Sequence, residues 1–180
     1  MDDLSIDVKE ATLQDIRLIA EYWEKASDSF LESLGVDLSK RVSADVLIER
    51  LTYQYSLPYA EKQAYPVIWY VNNRPVGHCN INMISFGEEA HMHLHLWEPL
   101  LRRSGYGSQL VKLSLPFFFK NFNLKKLICE PYALNDAPNK TLPKAGFTFV
   151  KEYVTVPGSI SFEQPVKQWI MTIEDFENLK

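Results

Sequence analysis

Residues 90–107, AHMHLHLWEPLLRRSGYG, contain the pattern that decides the fold. Histidine and apolar side chains alternate through residues 90–97, which is the period of a β-strand. A helix is predicted from Tyr106 to Asn121, directly after the Gly105-Tyr106-Gly107 turn. The start of a helix presents unpaired backbone N–H groups and the positive end of the helix dipole, so it attracts anions. The glycines leave room for a phosphate, although ordinary strand-to-helix turns use glycine as well.

The elements on either side of this segment predict a mixed α/β fold in one domain, residues 1–180. We expect about seven strands in a mostly antiparallel sheet, with helices on both faces. The β-α-β connection across residues 90–130 implies one parallel pair of strands. The predicted elements are strand 5–10, helix 12–25, a helix capped by Ser43, strands 65–71, 76–84 and 90–97, helix 106–121, strand 126–129, helix 135–145, and strands 147–156 and 166–173.

The composition limits the class of protein. The 180 residues are 46% hydrophobic and 23% charged, with a net charge of -4, which is ordinary for a folded domain. No run of lysine or arginine predicts nucleic-acid binding, and no apolar stretch approaches the ~20 residues of a membrane span. The N-terminus lacks the pattern of a signal peptide, and Cys79 and Cys129 are interpreted as buried, reduced thiols. A cytoplasmic location is therefore expected.

Two motifs carry a resemblance to a known family. Pro99-x-x-Arg102-x-x-Gly105-x-Gly107 resembles the acetyl-CoA signature of the GNAT N-acetyltransferases, at the end of a strand and the start of a helix. Residues 135–147, NDAPNKTLPKAGF, are similar to the pattern of the GNAT branch that acetylates ribosomal-protein N-termini. The element order and the spacing of the two motifs also fit, so the resemblance covers essentially the whole chain.

The resemblance implies a binding site for acetyl-CoA as cosubstrate. Backbone amides from residue 103 to residue 107 would hold the pyrophosphate, and the backbone of Leu96 and Trp97 would pair with the pantetheine arm as an added strand does. Asn135 and Asn139 would contact the other end of the pantetheine or cap their helix, which Gly146 would end in a left-handed conformation. The predicted cofactor residues are Leu96, Trp97, Arg102, Arg103, Ser104, Gly105, Tyr106, Gly107, Asn135 and Asn139.

The chain departs from the family pattern in two respects. Leu142 occupies the position where many members carry a tyrosine that protonates the leaving thiolate. Pro138 and Pro143 fall within the helix predicted over residues 135–145, so that helix is expected to be short or distorted. Pro116 is likewise expected to kink the helix predicted over residues 106–121.

Three histidines on one strand face suggest a catalytic base. Acetyl transfer to an alkylammonium requires loss of a proton, because the pKa of such a group is near ~10. His91 and His93 resemble the His-x-His base of the arylalkylamine N-acetyltransferases, and Glu89 is a rival base. Two alternatives stay open at this point, namely histidines with a structural role and a zinc site completed by Glu88 or Glu89. We expect no metal.

The predicted reaction moves an acetyl group to a primary amine, by direct attack of the amine on the thioester. The acceptor is either a small molecule or a protein N-terminus, and the chain is either a monomer or a homodimer. A non-catalytic acyl-CoA-binding or metal-binding module on the same fold is the alternative function. Charged and aromatic side chains from the loop between the first two helices and from the last strands would select the acceptor, namely Asp28, Glu32, Asp37, Glu163, Trp23, Tyr132 and Trp169.

Overall fold

A computed structural model describes residues 5–101 and 105–179, and all seven strands of this part lie in one sheet. The sheet has the order β1-β2-β3-β4-β5-β7-β6. Only the β4–β5 pair is parallel, as predicted from the β-α-β connection. The strands are β1 (Ile6–Glu10), β2 (Ala64–Val71), β3 (Arg74–Ser85), β4 (Glu89–Leu96), β5 (Lys126–Cys129), β6 (Thr148–Thr155) and β7 (Gln164–Thr172).

Six α-helices within the described ranges accompany the sheet. They are α1 (Leu13–Lys25), α2 (Asp28–Ser33), α3 (Ala44–Ser56), α4 (Tyr106–Phe122), α5 (Asp136–Ala145) and α6 (Ile173–Glu177). The first helix begins where predicted, because Thr12 and Asp15 form a reciprocal capping box. Three 3₁₀ turns, at Leu38–Lys40, Tyr59–Glu61 and Pro99–Leu101, complete the connections.

The parallel pairing of β4 with β5 is short, so the two strands separate and leave an opening between them. Pairing between β4 and β5 covers Glu89 to His91 and ends at the His91–Ile128 register position, whereas β4 continues to Leu96. Beyond His91, no strand in the described part of the chain pairs with β4 on the β5 side. We call the opening that results the β4–β5 cleft.

The main core lies between the sheet and α4. Ile81 and Met92 from adjacent strands are fully buried against this helix, together with Leu115 and Phe118. The buried Ser114 hydroxyl accepts a 2.8 Å hydrogen bond from the indole of Trp69, so the helix is also fixed to β2. Both cysteines are buried and unpaired, as predicted.

The structure corrects the sequence-based prediction in several places. Helices α2 and α6 were not predicted, because six and five residues are too few for a periodic pattern. Asp28 therefore begins a helix and does not belong to a loop. Helix α4 contains Pro116 and continues to Phe122, and the ten-residue α5 contains Pro143; the expected kink at Pro116 and distortion of α5 stay predictions. Within the described part of the chain, no helix is long and apolar enough to cross a membrane.

Candidate active site

The β4–β5 cleft brings together polar groups from distant parts of the chain. His93 and Leu94 line one side, Glu130 and Tyr132 line the other, and Asn135 approaches from the start of α5. Leu34 from the segment after α2 and Ser161 from the β6–β7 connection cover the cleft. None of these covering residues was singled out from the sequence.

Adjacent strands β3 and β4 form a polar row on the face opposite α4. The register pairs His78 with His95, Asn80 with His93 and Asn82 with His91. Their sequence neighbours, including Cys79 and Met92, point into the core. The prediction that the three histidines of β4 share one face is therefore confirmed, and no register shift interrupts β4 between His91 and Leu96.

His93 and His95 both line the cleft, and His93 is the better placed for chemistry because the Glu130 carboxylate lies near it. Nε2 of His93 lies 3.1 Å from Oδ1 of Asn82, which only accepts hydrogen bonds. With the Asn82 amide in this orientation, Nε2 is assigned as the donor, and Nδ1 then keeps a lone pair that can accept a proton. Burial, followed by the nearby His91, lowers the pKa of His93 to about 4, while the Glu130 carboxylate opposes this shift. At neutral pH the imidazole is uncharged.

His91 faces a carboxylate that sequence reasoning missed. Nδ1 of His91 lies 3.8 Å from Oε2 of Glu130, and only 7% of the Glu130 side chain is exposed. Oε1 of Glu130 accepts hydrogen bonds from the Tyr153 hydroxyl and from Nε2 of Gln168, the latter at 2.7 Å. In the sequence, Glu130 is recognisable only as an acidic residue that directly follows a predicted strand. It becomes a candidate once that strand, β5, is known to pair with β4, the strand of the histidines.

His95 belongs to an aromatic cluster and its surroundings differ from those of His93. Tyr22, Trp23 and His78 surround its ring, and the Tyr22 hydroxyl lies 3.5 Å from Nδ1. Burial, followed by the nearby His93, lowers the pKa of His95 to about 3. These contacts indicate a packing role.

Glu89, the rival base, lies at the closed end of the strand pair. Its carboxylate forms a 2.7 Å ion pair with Lys126, where β4 and β5 are still hydrogen-bonded. At ~3.3 Å per residue, the four positions from Glu89 to His93 separate their Cα atoms by about 13 Å. Glu89 does not line the cleft, and its role as a base stays a prediction.

The predicted phosphate site is described in part. Arg102, Arg103 and Ser104 lie outside the described residues. Gly105 has a φ of 87° at the N-cap of α4, and a Cβ built there would meet no atom of residues 5–101 or 105–179 within 4 Å. Tyr106 and Gly107 open the helix, with the nearest side chain, Thr141, 3.6 Å from a Cβ built at Gly107. Among the described residues, none crowds a Cβ built at Gly105, the N-cap of α4.

Some backbone N–H and C=O groups of β4 point into the cleft, where an extended ligand could pair with them. Trp97 donates its N–H to the carbonyl of Val76 at 2.8 Å, so this group is already engaged in the contact with β3. In an antiparallel ladder the hydrogen-bonding direction alternates along the strand. The backbone groups of Leu94 and Leu96 therefore point away from β3, towards the side from which β5 has diverged.

The two predicted asparagines have different surroundings. Asn135 is at the N-cap of α5 but makes no side-chain cap hydrogen bond, and it lines the cleft. Nδ2 of Asn139 donates to the carbonyls of Tyr132 and Asn135, at 3.0 and 2.8 Å, and its Oδ1 accepts from the Trp169 indole at 2.9 Å. Asn139 therefore fixes the segment that carries Tyr132. As CoA contacts, both residues remain predictions.

The end of α5 agrees with the sequence-based expectation at Gly146 and accounts for Leu142. Gly146 ends the helix in the left-handed region with a φ of 102°, as predicted. Leu142 is fully buried in the main core, so its position contributes packing and no hydroxyl group. Among residues 5–101 and 105–179, no three His, Cys, Asp or Glu side chains are grouped to hold a metal ion.

Comparisons with known proteins agree with this geometry. The acetyltransferase (GNAT) domain family matches residues 9–148. An aminoglycoside acetyltransferase in complex with coenzyme A superposes with a TM-score of 0.71 at 19% identity, covering 96% of this chain and 98% of that one. The spermidine N-acetyltransferase of Vibrio cholerae, in complex with CoA and spermine, gives a TM-score of 0.76 at 15% identity, covering 96% and 98%. A sequence comparison with curated proteins finds no match.

These structural neighbours act on aminoglycosides or spermidine according to their descriptions, and they do not single out the branch that acetylates ribosomal-protein N-termini. The family match spans most of the chain, including the histidine strand, the glycine turn and α5. This chain belongs to the GNAT acetyltransferase family.

Proposed function

We propose that the protein transfers the acetyl group of acetyl-CoA to a primary amine. The observation that carries this proposal is the divergence of β4 from β5 after His91, which leads to the N-cap of α4 at Gly105. A pantetheine arm can pair with the backbone of Leu94 in the cleft while the pyrophosphate occupies the helix N-terminus. The arm then directs the thioester towards His93.

The proposed chemistry is direct attack of the amine. Neutral His93 takes one proton from the ammonium, at Nδ1 or through a water, and the free amine attacks the thioester carbonyl carbon. A backbone N–H on the cleft side of β4 stabilises the oxyanion. The C–S bond then breaks, and the thiolate takes the second proton. Because thiols have a pKa near ~8.5, the thiolate is a tolerable leaving group without the tyrosine that Leu142 replaces.

A small amine is the acceptor that the cover of the cleft favours. Val36 forms an antiparallel bridge with Ser161, and the N–H of Asp37 donates to the carbonyl of Ile160 at 2.8 Å. Nε2 of Gln164 adds a 2.8 Å bond to the carbonyl of Gly35. The two segments are thus joined over the cleft, which leaves less space for a polypeptide chain than for a small amine.

Turnover of acetyl-CoA with a panel of amines tests the proposal. Thiol release is measured with polyamines, aminoglycosides, simple alkylamines and N-terminal peptides as acceptors. We expect release that depends on a small primary amine. CoA-induced thermal stabilisation with no acceptor-dependent release would favour the non-catalytic module instead. Release with peptides alone would support the ribosomal-protein branch.

A further inference from the structure

A second cavity, with a volume of about 310 Å³, lies outside the candidate active site. It is enclosed by the end of β1, the first turn of α1, the C-terminal half of α3 and the start of β2. Among the described residues, it shares none with the lining of the β4–β5 cleft. Small-molecule sites have volumes of about 300–1,000 Å³, so this space can hold a small ligand. We call this space, which both Glu10 and Lys62 line, the α3 cavity.

Lys62 places a buried cation in the wall of the α3 cavity, since only 7% of this residue is exposed. Its Nζ donates hydrogen bonds to the carbonyls of Gln54 and Tyr55 in the last turn of α3, the latter at 3.0 Å. An ammonium group has three N–H bonds, and no acceptor or carboxylate in the described part of the chain engages the third. Burial lowers the pKa of Lys62, and the Glu10 carboxylate opposes this shift. A buried charge is unfavourable without a partner, so an anion in the cavity would stabilise Lys62.

Glu10 supplies the opposite charge. Its Oε1 accepts hydrogen bonds from the hydroxyls of Tyr59 and Tyr65, both at 2.5 Å, and from Nδ2 of Asn121 at 3.0 Å. Burial, followed by the hydrogen bond to Glu10, raises the pKa of Tyr59 to about 12, so this hydroxyl keeps its proton and donates. Within residues 5–101 and 105–179, Oε2 of Glu10 has no such donor. Because Glu10 is exposed and Lys62 is buried, the anion lies nearer to solvent than the cation.

Tyr59 connects the two charges. Its hydroxyl is bonded to Glu10, and Nζ of Lys62 lies 5.9 Å from the centroid of its ring. The carboxylate and the ammonium group are therefore separated by one aromatic ring, and they form no ion pair with each other. The apolar part of the lining consists of Ala11, Ile16, Leu51, Leu57, Pro58 and Pro66.

The wall that carries Lys62 is fixed without a ligand. Oε1 of Gln54 accepts hydrogen bonds from the backbone N–H groups of Gln63 and Ala64, at 2.6 and 3.2 Å. Gln54 thus holds the connection between α3 and β2 with its side chain, while its carbonyl holds Nζ of Lys62. A site that is already ordered loses less conformational entropy when a ligand binds.

We propose that the α3 cavity binds an α-amino acid with an apolar side chain, its carboxylate at Lys62 and its ammonium group at Glu10. The third N–H of Lys62 donates to the ligand carboxylate, and Oε2 of Glu10 accepts from the ligand ammonium. The apolar lining contacts the side chain of the amino acid. Since the cavity and the β4–β5 cleft have different linings, this site does not depend on the proposed acetyl transfer.

A ligand with a single charge fits the α3 cavity less well. A carboxylate without an amino group would bind Lys62 but would be repelled by Glu10. An amine without a carboxylate would bind Glu10 but would be repelled by Lys62, which would still lack an anionic partner. Only a zwitterion pairs with both groups.

Calorimetric titration of the wild-type protein tests the site without any substitution. The probes are L-valine, L-leucine and L-methionine, in the absence of acetyl-CoA. The probe that binds most tightly is compared with two analogues, one without the carboxylate and one without the amino group, which for L-leucine are isopentylamine and 4-methylpentanoate. Each analogue lacks one charge-assisted hydrogen bond, so the amino acid should bind at least about tenfold more tightly than either. Equal affinities, or no saturable binding of any probe at millimolar concentration, would overturn the proposal.

Substitutions then locate the bound amino acid. Glu10→Gln removes the charge but keeps an oxygen that can accept the same hydrogen bonds, and Lys62→Met keeps the aliphatic stem. Each should weaken binding by about 10- to 100-fold. Glu61→Gln and Lys9→Met remove the same charges from exposed neighbouring positions and should leave the affinity unchanged. Should Lys62→Met fail to fold, Glu10→Gln decides the result, because an unchanged affinity in that variant would place the amino acid outside the α3 cavity and overturn the proposal. Acetyl transfer is not part of this measurement, so loss of the proposed function would leave its outcome intact.

Discussion

The imidazole rings of His78 and His95 stack with their centroids 4.7 Å apart and an angle of 18° between their planes. Nδ1 of His78 also accepts a 2.8 Å hydrogen bond from the Trp97 indole, so the pair is fixed from both strands. Burial lowers the pKa of both rings, and that of His95 to about 3. The stacked pair is therefore stable in its neutral form, and its protonation opposes folding.

Acid sensitivity of the fold is the first prediction. The unfolded chain binds protons at these histidines near pH ~6.5, whereas the folded chain binds them only near pH 4 for His93 and 3 for His95. Between these values the unfolded state holds more protons, so the free energy of unfolding decreases as the pH falls below ~6.5. Thermal melting should show a lower Tm at pH 5 than at pH 7.

The variant His95→Asn separates this effect from general acid denaturation. The variant should be less stable at pH 7, because it lacks the stacked ring. Its Tm should nevertheless decrease less between pH 7 and pH 5 than the Tm of the wild-type protein does. An unchanged or rising Tm of the wild-type protein over that interval would contradict the assignment of buried neutral histidines.

The sequence predicted the parts of this site that depend on local pattern. Alternation along residues 90–97 was sufficient to place three histidines on one face, and the glycine turn marked the start of α4. Glu130 could not be found in the same way, because it is an isolated acid in sequence. Its significance comes from the parallel β4–β5 pair and from Tyr153, 23 residues later. Long-range contacts of this kind leave no periodic signal.

The fold follows the same division. The order of the strands along the chain was predictable because each has an apolar, β-rich segment, but the position of β7 between β5 and β6 was not predicted. The end of the β4–β5 pairing at His91 depends on long-range contacts and was not predicted either. Helix α2 was not predicted because its six residues are too few to show a helical period. The cover that α2 supports, joined at Val36 and Ser161, was therefore also missed.

Binding of CoA at the start of α4 is the second prediction. Gly105→Val places a β-branched side chain at a φ of 87°, in the space where the pyrophosphate is proposed to bind. CoA affinity, measured by calorimetry, should fall at least about tenfold, equivalent to ~1.4 kcal/mol. Gly107→Val should also weaken binding, although its side chain would contact Thr141.

Gly87→Val is the matched control for this experiment. Gly87 has a φ of 81° and, like Gly105, no atom of the described residues within 4 Å of a built Cβ, but it lies in the β3–β4 turn. Both substitutions should cost about 1–2 kcal/mol of backbone strain, whereas only Gly105→Val should lower CoA affinity. Equal CoA affinity in all three proteins would remove the helix N-terminus as the phosphate site.

Independence from metal ions is the third prediction. His93 contacts Asn82 and His91 faces Glu130, so each histidine has a protein partner and a role without a metal. The rate of acetyl transfer after treatment with a chelator should equal the rate of the untreated protein within experimental error. Stoichiometric zinc in the purified protein, together with activity that disappears on its removal and returns on its addition, would favour the metal alternative.

The last prediction concerns the base. A histidine with the ordinary pKa of ~6.5 would make kcat rise between pH 6 and 8, and the sequence alone predicts that profile. Burial lowers the pKa of His93 to about 4, so a rate limited by His93 should lose activity only as the pH falls towards 4. With saturating amine, kcat should therefore be nearly constant from pH 6 to 8. Because general base catalysis contributes about 10²- to 10⁴-fold, His93→Gln should lower kcat by a factor in that range while the KM of acetyl-CoA is maintained.

Comparison of single variants then assigns the role. His91→Gln should have the smaller effect, since His91 does not line the cleft. A variant that combines His91→Gln with His93→Gln should recover part of its rate at high pH, where free amine is abundant. Asn82→Ala removes the acceptor that fixes the tautomer of His93, and it should lower kcat without a change in acetyl-CoA affinity. Should Glu89→Gln lower kcat while His93→Gln retains it, the base is the carboxylate at the closed end of β4. In that case proton transfer would have to cross about 13 Å of strand, and a chain of waters would be required to connect Glu89 with the cleft.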